Sequence, residues 1–500
     1  MSDYDVIVIG AGCGGLSAGA LLAKKGCKTL VLEQSSLVGG CCSTFEQEGF
    51  SFDLGASILE DVEVINWCFE RLGTSVFKET EMIKCDPIYT VILKDGTKIT
   101  YPLSSEETAK LIGTISPEDE DGWRRYADYM KAFLDAAFKG FFLSPGNTLT
   151  DMAMMFVRTP ALLKFFPLFA TNYQSVLEKF FKSDKIMESI AYQSYFFGLP
   201  PELGPGHSAM IPYSEHEGVY YTKGGMKGIP EALVKCGQRL GMELRLNTLV
   251  KKVIVKNGRA VGVQLGDGTE ITARLIVSNI NARQLYTDLI GLEHLPWLAQ
   301  VGVKSYRYAM ATPMIYLGVD YEPPLDSHHT IITLPVAETN KFWNDYYLKG
   351  LFPTEQYAII SYTSKTDPGL APKGCNIIVL TLSPGPYKLQ GKDWDEAKPE
   401  IMDRVIRFME KKCIPGLEEH IKVASFSTPR DFERRLLSPE GAIYALRQDL
   451  MSSMVFRPAA KSKNIKGLYL TGASTHPGGG VPTVIASGMI AADLIEKYEN

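Results

Sequence analysis

The first thirty-three residues change their hydrophobic period twice. Tyr4 to Ile9 carries a β-branched run, VIVI, with no polar residue after Asp5, the pattern of a strand buried on both faces. Small and apolar residues then recur at helical spacing from Leu16 and stop at Gly26. CKTLVLE (27–33) reads as a second strand that ends on an acid, Glu33. Between the first strand and the helix stand Gly10, Gly12, Gly14 and Gly15. Strand, glycine turn, helix, strand and terminal acid together make a dinucleotide-binding βαβ unit.

Further along, a glycine-framed loop (GVYYTKGGMKG) precedes a helix from about Ile229. MELRLN then predicts a strand, and KKVIVKNGRAVGVQL a hairpin turning at Asn257-Gly258. TPMIYLGV, HTIITL, YAIISYTS and NIIVLTL read as sheet strands. KGLYLTGASTHPGGGVPTVIASGMIAADLI reads as strand, glycine-rich loop and a helix opening near Pro482. From Gly140 to Tyr213 the chain is rich in Phe, Met, Leu and Tyr, suited to the walls of an apolar tunnel as well as to an ordinary helical core. Arg158 and Lys164 interrupt the apolar stretch 151–173, which falls short of the roughly 20 apolar residues a membrane span needs. Two readings stay open for it: an amphipathic surface anchor through Met152 to Phe181, with Phe165 and Phe166 on its apolar face, or a plain core helix.

The glycine turn has a specific chemistry. Gly10 permits the tight turn out of the strand, Gly12 leaves room for backbone to approach a pyrophosphate, and Gly15 lets the helix pack close to the sheet. The helix amides then face a negative diphosphate, and Glu33 is placed to accept hydrogen bonds from ribose hydroxyls. Glu33 argues against a 2′-phosphate; the motif alone does not separate NAD from FAD.

At 500 residues the chain predicts two or three domains. With 45% hydrophobic and 22% charged residues it has material for a full core, and a net charge of −5 carries no polybasic signal for nucleic acid. Nine cysteines and seven histidines lack CxxC or HExxH spacing, so no metal site is expected. The dispersed cysteines, vicinal Cys41-Cys42 included, read as reduced thiols. MSDYDV bears acids where a secretory leader would be basic, so a cytoplasmic protein, peripherally membrane-associated, is expected. His207, His328 and His329 read as non-catalytic. His476, in the carboxy-terminal glycine loop, is the one acid–base candidate.

The stretch QSSLVGGCCSTFEQEGFSFDLGAS, with Gly39-Gly40 in a loop, resembles the extended amino-terminal motif of FAD enzymes of the amine-oxidase and carotenoid-desaturase type. Taken with CDPIYTVILKDG, GVYYTKGGM and TGASTHPGGGVP, nearly the whole chain resembles the phytoene-desaturase family, which includes bacterial carotenoid desaturases, plant carotenoid isomerase and animal retinol saturase. The resemblance implies an α/β fold. A Rossmann-like FAD-binding domain is assembled from residues 1–75, 215–290 and 425–500. Inserted into it is a mixed α+β substrate domain, in which 76–214 is helical and membrane-facing and 291–424 is strand-rich.

By the same resemblance Gly10, Gly12, Gly14, Gly15, Glu33, Gly39 and Gly40 hold non-covalent FAD. The Val250 backbone meets the adenine, and Gly472, Ala473 and Val481 lie near the diphosphate and flavin. The implied activity introduces C=C bonds into a hydrophobic isoprenoid or carotenoid by hydride transfer to flavin N5. A saturase or a redox-dependent isomerase is the alternative, and a non-catalytic lipid-binding flavoprotein a second. Two departures bear on direction: Ala473 stands where related flavoproteins carry an acid, and GGCC-x-TF looks more like retinol saturase than the arginine that tends to follow the double glycine in bacterial desaturases. No second strand-linked GxGxxG is present, so electrons pass to or from an external partner: oxygen, a quinone or a reductase.

Overall fold

The computed structural model describes residues 2–146, 148–353, 355 and 357–499. Its amino-terminal βαβ unit comprises β1 (Tyr4–Ile9), α1 (Cys13–Lys24) and β2 (Thr29–Leu32). Both strands are enclosed, as their unbroken apolar runs require. β1 lies between β2 and Glu270–Ser278, parallel to each. Beyond β2 pairs Glu243–Arg245, and beyond Glu270–Ser278 pairs Leu468–Leu470, both again parallel. Three stretches hundreds of residues apart thus share one sheet. The front half of the nine-residue strand Glu270–Ser278 pairs antiparallel with the expected hairpin, Val250–Lys256 and Arg259–Leu265.

Helix α1 is packed between the helix Gly228–Arg239 and the carboxy-terminal helix Val481–Glu499. The crossing with the carboxy-terminal helix is at backbone distance. A Cβ on Gly488 would stand 2.0 Å from Ser17 Oγ and 2.5 Å from the Gly14 carbonyl. Ser17 Oγ also donates to the Ile485 carbonyl at 3.2 Å, and the Thr471 hydroxyl to Gly14 O at 3.4 Å.

The second sheet runs Ile421–Ser427, Met314–Val319, Asn376–Leu382, Ala358–Ser361, His329–Ile332, Tyr89–Ile92, Lys98–Tyr101. Four of these match the strands read from the sequence. The hairpin Tyr89–Tyr101 comes from the stretch expected to be helical: its YTVI strand is wholly buried and turns at Asp95-Gly96, with Gly96 at φ +89°. The helical part follows from Ser105, with Ser104 capping the first turn and Pro117 opening the long helix Pro117–Gly140.

The stretch read as a surface anchor forms a helix at Leu149–Arg158 and a run of tight turns at Pro160–Phe169. Phe165 and Phe166 part company. Phe165 is buried against Tyr129 and Phe133, whereas Phe166 is 52% exposed, so Phe165 belongs to the core and not to the surface face. Among the described residues no helix is long and apolar enough to cross a membrane.

Candidate functional site

A cavity of about 520 Å³ runs from the carboxyl ends of the first sheet toward the second sheet and the helical part. Gly10, Gly12, Gly14, Glu33, Gly39, Gly40, Val250, Gly472, Ala473 and Val481 line it. Gly15 lies behind them: a Cβ there would meet the Gly10 carbonyl at 2.2 Å, so its role is the close seat of α1 on β1. Gly10 takes φ +93°, the left-handed turn that releases the chain from the strand. Gly12, Gly14 and Gly472 close around Asn279. A Cβ on Gly12 would stand 2.6 Å from Asn279 Nδ2, on Gly14 2.8 Å from Oδ1, and on Gly472 2.5 Å from Oδ1. Backbone therefore forms this wall. The amino end of α1 has no side-chain cap, and the start of the carboxy-terminal helix reaches the same cavity through Gly480 and Val481. Two sets of free helix amides thus serve one space, which suits an anion.

At the far end of that wall Glu33 Oε2 accepts the Ala11 N–H at 2.8 Å and Oε1 the Ser35 N–H at 2.9 Å. Burial raises its pKa, and these backbone donors oppose the rise. Gln34 Nε2 donates to the Arg435 carbonyl at 2.9 Å, bringing a segment from the end of the chain to the cavity. The Arg435 guanidinium lies 4.7 Å from the Phe45 ring centroid and beside Cys41. Its neighbours Arg430 and Arg434 pair with Glu433, Asp395 and Asp431; Arg435 has no carboxylate partner among the described residues. A half-buried cation in a cavity wall without a counter-charge is satisfied by an anion in the cavity.

Two buried polar groups set the loops. Asp53 accepts from Thr44 Oγ1 at 2.7 Å, from the Met226 N–H at 2.8 Å and from Tyr221 OH, joining the FSFDLG hairpin to the YTKGGM loop. Arg457 holds the carboxy-terminal glycine loop from behind, donating to the carbonyls of Ala473 and Thr475. All acceptors of Arg457 are backbone oxygens, and burial brings its pKa down to about 10. The nine cysteines are free thiols, and among the described residues no group of acids, histidines and cysteines could hold a metal.

A family model described as flavin containing amine oxidoreductase matches residues 13–496. The chain belongs to that family. A neurosporene-forming phytoene desaturase of Rhodobacter capsulatus is 30% identical, the match covering 98% of this chain and 93% of the relative. A 4,4'-diapolycopene oxygenase of a Methylomonas species is 29% identical over 98% and 97% of the two chains. Among solved structures, an oxidoreductase from Methanosarcina mazei superposes with a TM-score of 0.66 at 18% identity, covering 98% of this chain and 100% of the other. Wild-type putrescine oxidase bound to putrescine gives 0.64 at 15%, covering 99% of both. The fold is that of the amine-oxidase-like flavoproteins, and FAD is the cofactor of this flavin oxidoreductase. The glycine wall, the two helix ends and the unpaired Arg435 fit such a dinucleotide.

Beyond the glycine wall the cavity turns apolar, lined by Phe142, Tyr192, Phe196, Phe197 and Met210 of the helical part and by Met314, Ile331 and Ile359 of the second sheet. Polar groups remain among them. His329 Nε2 lies 2.9 Å from Ser57 Oγ, both lining the cavity; burial holds the imidazole well below its usual pKa, hence neutral. The Tyr357 hydroxyl is buried at the wall, its ring stacked on Tyr195 at 4.4 Å between centroids. Glu60 and Asp61 line the cavity beside one another. His476 does not line it: its Nε2 meets the Phe141 carbonyl at 2.9 Å, its ring packs edge-on against Phe141, and burial pushes its pKa down to about 4.

Sequence reasoning passed over Arg435, Glu60, Asp61 and Ser57, and read His329 as non-catalytic. The one signal available was the loss of the arginine after Gly40, which leaves the cavity wall short of a cation.

Burial together with Asp61 pushes Glu60 up to about 8, and burial pushes Asp61 up to about 7. With folded pKa values above those of the unfolded chain, the native state holds the extra protons and loses stability as pH rises from the unfolded carboxyl range, about 4, to these folded values. FAD-free protein is therefore expected to lose about 1.4 kcal/mol per pH unit for each proton retained. Chemical denaturation across that interval measures the slope, and Glu60→Gln flattens it.

Proposed function

We propose that this flavin oxidoreductase removes hydrogen from a long hydrophobic polyene or isoprenoid, introducing C=C bonds. The observation that carries the reading is the continuity of one cavity from a backbone-lined anion site into an aromatic and aliphatic chamber. The carotenoid-desaturase names of full-length relatives support it. The discontinuous FAD-binding part drawn from 1–75, 215–290 and 425–500 holds the cofactor; the helical and strand-rich parts hold the substrate. Within it the glycines at 10, 12, 14, 39, 40 and 472 keep side chains out of the dinucleotide's path, with Gly15 seating α1 behind them. Glu33 takes the ribose hydroxyls, and the backbone of Val250 borders the adenine. Ala473 and Val481, at the second helix end, border the diphosphate and flavin, and Arg435 pairs with the diphosphate. Bound FAD supplies a two-electron acceptor at N5, which no side chain provides. The chamber walls align the chain and exclude water. An external acceptor, oxygen or a quinone, takes the electrons onward.

The exposed face of the segment 149–166 supports peripheral attachment to a membrane, where such a substrate dissolves. Leu149 (79% exposed), Val157 (68%), Leu163 (58%) and Phe166 (52%) project from it, interleaved with Arg158 and Lys164.

The reaction is read by incubating the FAD-loaded protein with a panel of polyenes under two regimes, oxidised flavin with an acceptor and pre-reduced flavin without one. Loss of two hydrogens with a red-shifted product spectrum is expected in the first. Gain of two hydrogens in the second alone overturns the direction in favour of a saturase, and unchanged mass with altered geometry makes it an isomerase. Arg435→Ala is expected to weaken FAD binding about tenfold or more, the scale of a charge-assisted contact, when apoprotein is titrated by flavin fluorescence. Unchanged affinity removes Arg435 from the cofactor site. Wild type is expected to float with anionic phospholipid vesicles and the double substitution Leu163→Asp, Phe166→Asp to stay in the aqueous fraction; co-flotation of both makes this face unrelated to lipid.

A further inference from the structure

We propose that Glu60 and Asp61 share the role of proton acceptor in the dehydrogenation, with buried Glu215 as the carboxyl that holds them in a common proton-sharing cluster and Glu217 as the outlet to solvent. The assignment rests on the desaturation reading above. It starts from two adjacent acids in the wall of a chamber that is otherwise built to receive hydrocarbon. Neither makes an ion pair among the described residues. Asp61 Oδ1 is buried and accepts no hydrogen bond, although Asp61 stands at the start of the helix Val62–Leu72, where a side chain of this type ordinarily caps the first turn. Its carboxyl is thus withheld from a structural task that lies within reach.

Glu215 is the second and independent sign. It is 0% exposed, its Oε2 is met by the Gln193 amide, and the Tyr89 phenol stands beside its carboxyl; Gln193 Oε1, equally enclosed, meets no donor among the described residues. Glu215 acts electrostatically on Glu60 and Asp61. The titratable groups that interact with the three include Glu63, Glu217, Tyr89, Tyr101, Tyr126, Tyr173, Tyr192 and Tyr444, all carboxyls and phenols, and among the described residues no lysine or arginine pairs with Glu60, Asp61 or Glu215. Carboxyls massed in an apolar wall without a cation cannot all ionise, so they hold and exchange protons between them near neutral pH. Burial moves Asp61 and Glu60 up in that direction.

An outlet is present. Glu217 interacts with Asp61 on one side and on the other is 52% exposed, with Tyr213 OH donating to it and Lys131 Nζ 3.8 Å away. A proton received at the cavity wall therefore has a carboxyl between it and solvent.

The chemistry balances. One C–H bond of the substrate gives a hydride, with both bonding electrons, to oxidised flavin; the neighbouring C–H gives its proton to the carboxylate, and the pair left behind becomes the new π bond. Hydride loss beside an existing double bond leaves a delocalised cation, whose adjacent proton is acidic enough for a carboxylate to take. His329, engaged with Ser57, and His476, outside the cavity, are the histidines that could compete.

The test uses FAD-loaded protein, anaerobically, with a phytoene-like polyene in vesicles, following flavin bleaching in a single turnover as pH is varied. Wild type is expected to speed up as pH rises and then level off. Glu60→Gln/Asp61→Asn is expected to be slower by about 100-fold, the usual scale of general-base loss, and to lose the pH dependence, with the flavin spectrum and FAD content unchanged. Asp61→Glu, restoring a carboxyl, is expected to recover the dependence in part. A double variant that keeps the wild-type rate and profile overturns the proposal while leaving desaturation standing. Should the double variant not retain FAD, the shape-preserving Glu60→Gln decides on the same two readouts. A wild-type flavin that no polyene bleaches overturns the dehydrogenation and the role with it. Infrared spectroscopy reads the cluster apart from turnover: a protonated-carboxyl C=O band at neutral pH, shifted in D₂O and diminished in the double variant, is expected, and its absence from wild type overturns the shared proton.

Discussion

The site depends on a contact between the two ends of the chain. Helix α1 and the carboxy-terminal helix meet where Gly14, Ser17 and Gly488 leave no room for a methyl group, and the Ser17 hydroxyl is shared between carbonyls of both helices. Because the crossing is this close, both helices present their free amides to one cavity, and the loop Gly472–Thr475 is drawn in beside Asn279. Had either helix stood off by the width of an alanine, the two positive helix ends would face different spaces. The glycines around Asn279 and the carbonyl contacts of Arg457 finish what that crossing begins: a wall made of main chain, held from behind by buried polar side chains.

The cavity is electrically graded. Arg435 and the helix amides put positive charge on its wall, and Glu60 and Asp61 put carboxyls there that no cation pairs with among the described residues. In a low-dielectric enclosure such a separation persists, because little water is there to average it away. An elongated guest with an anionic part and a neutral part is oriented by this gradient before any particular contact forms.

Much of the frame was legible in the chain, for local reasons. The βαβ unit announces itself through period changes within thirty residues, the Asn257-Gly258 turn through its φ requirement, and the strands of the second sheet through unbroken β-branched runs. Gly10, Gly12, Gly15 and Glu33 could be named because each sits at a fixed offset within the βαβ unit; Gly14, Gly39, Gly40, Val250, Gly472, Ala473 and Val481 were named through the family resemblance alone. What escaped was long-range. Nothing near Arg435 in sequence says that it will face Cys41, and nothing near Ser57 says that His329 will arrive beside it. Tyr89–Tyr101 was hidden in a stretch dominated by helical composition, although its own pattern is that of a hairpin. Phe165 and Phe166 are indistinguishable by hydropathy, and only the aromatic cluster with Tyr129 and Phe133 decides which one is inside. Glu60 and Asp61 carry no local mark, and only the closed fold puts them in the cavity wall.

The strand Glu270–Ser278 has a consequence for how this protein is made. It sits in the middle of the first sheet, between β1 and Leu468–Leu470, segments that are hundreds of residues apart in the order of synthesis. Synthesised in order, the amino-terminal βαβ unit leaves the tunnel well before either partner exists, with one edge of β1 open and α1 missing the helix that covers it. An open edge of apolar, β-branched residues is prone to pair with the wrong strand, and pairings between distant segments form slowly. The architecture that brings α1 and Val481–Glu499 to one cavity thus makes the first half of the site wait for a helix made hundreds of residues later.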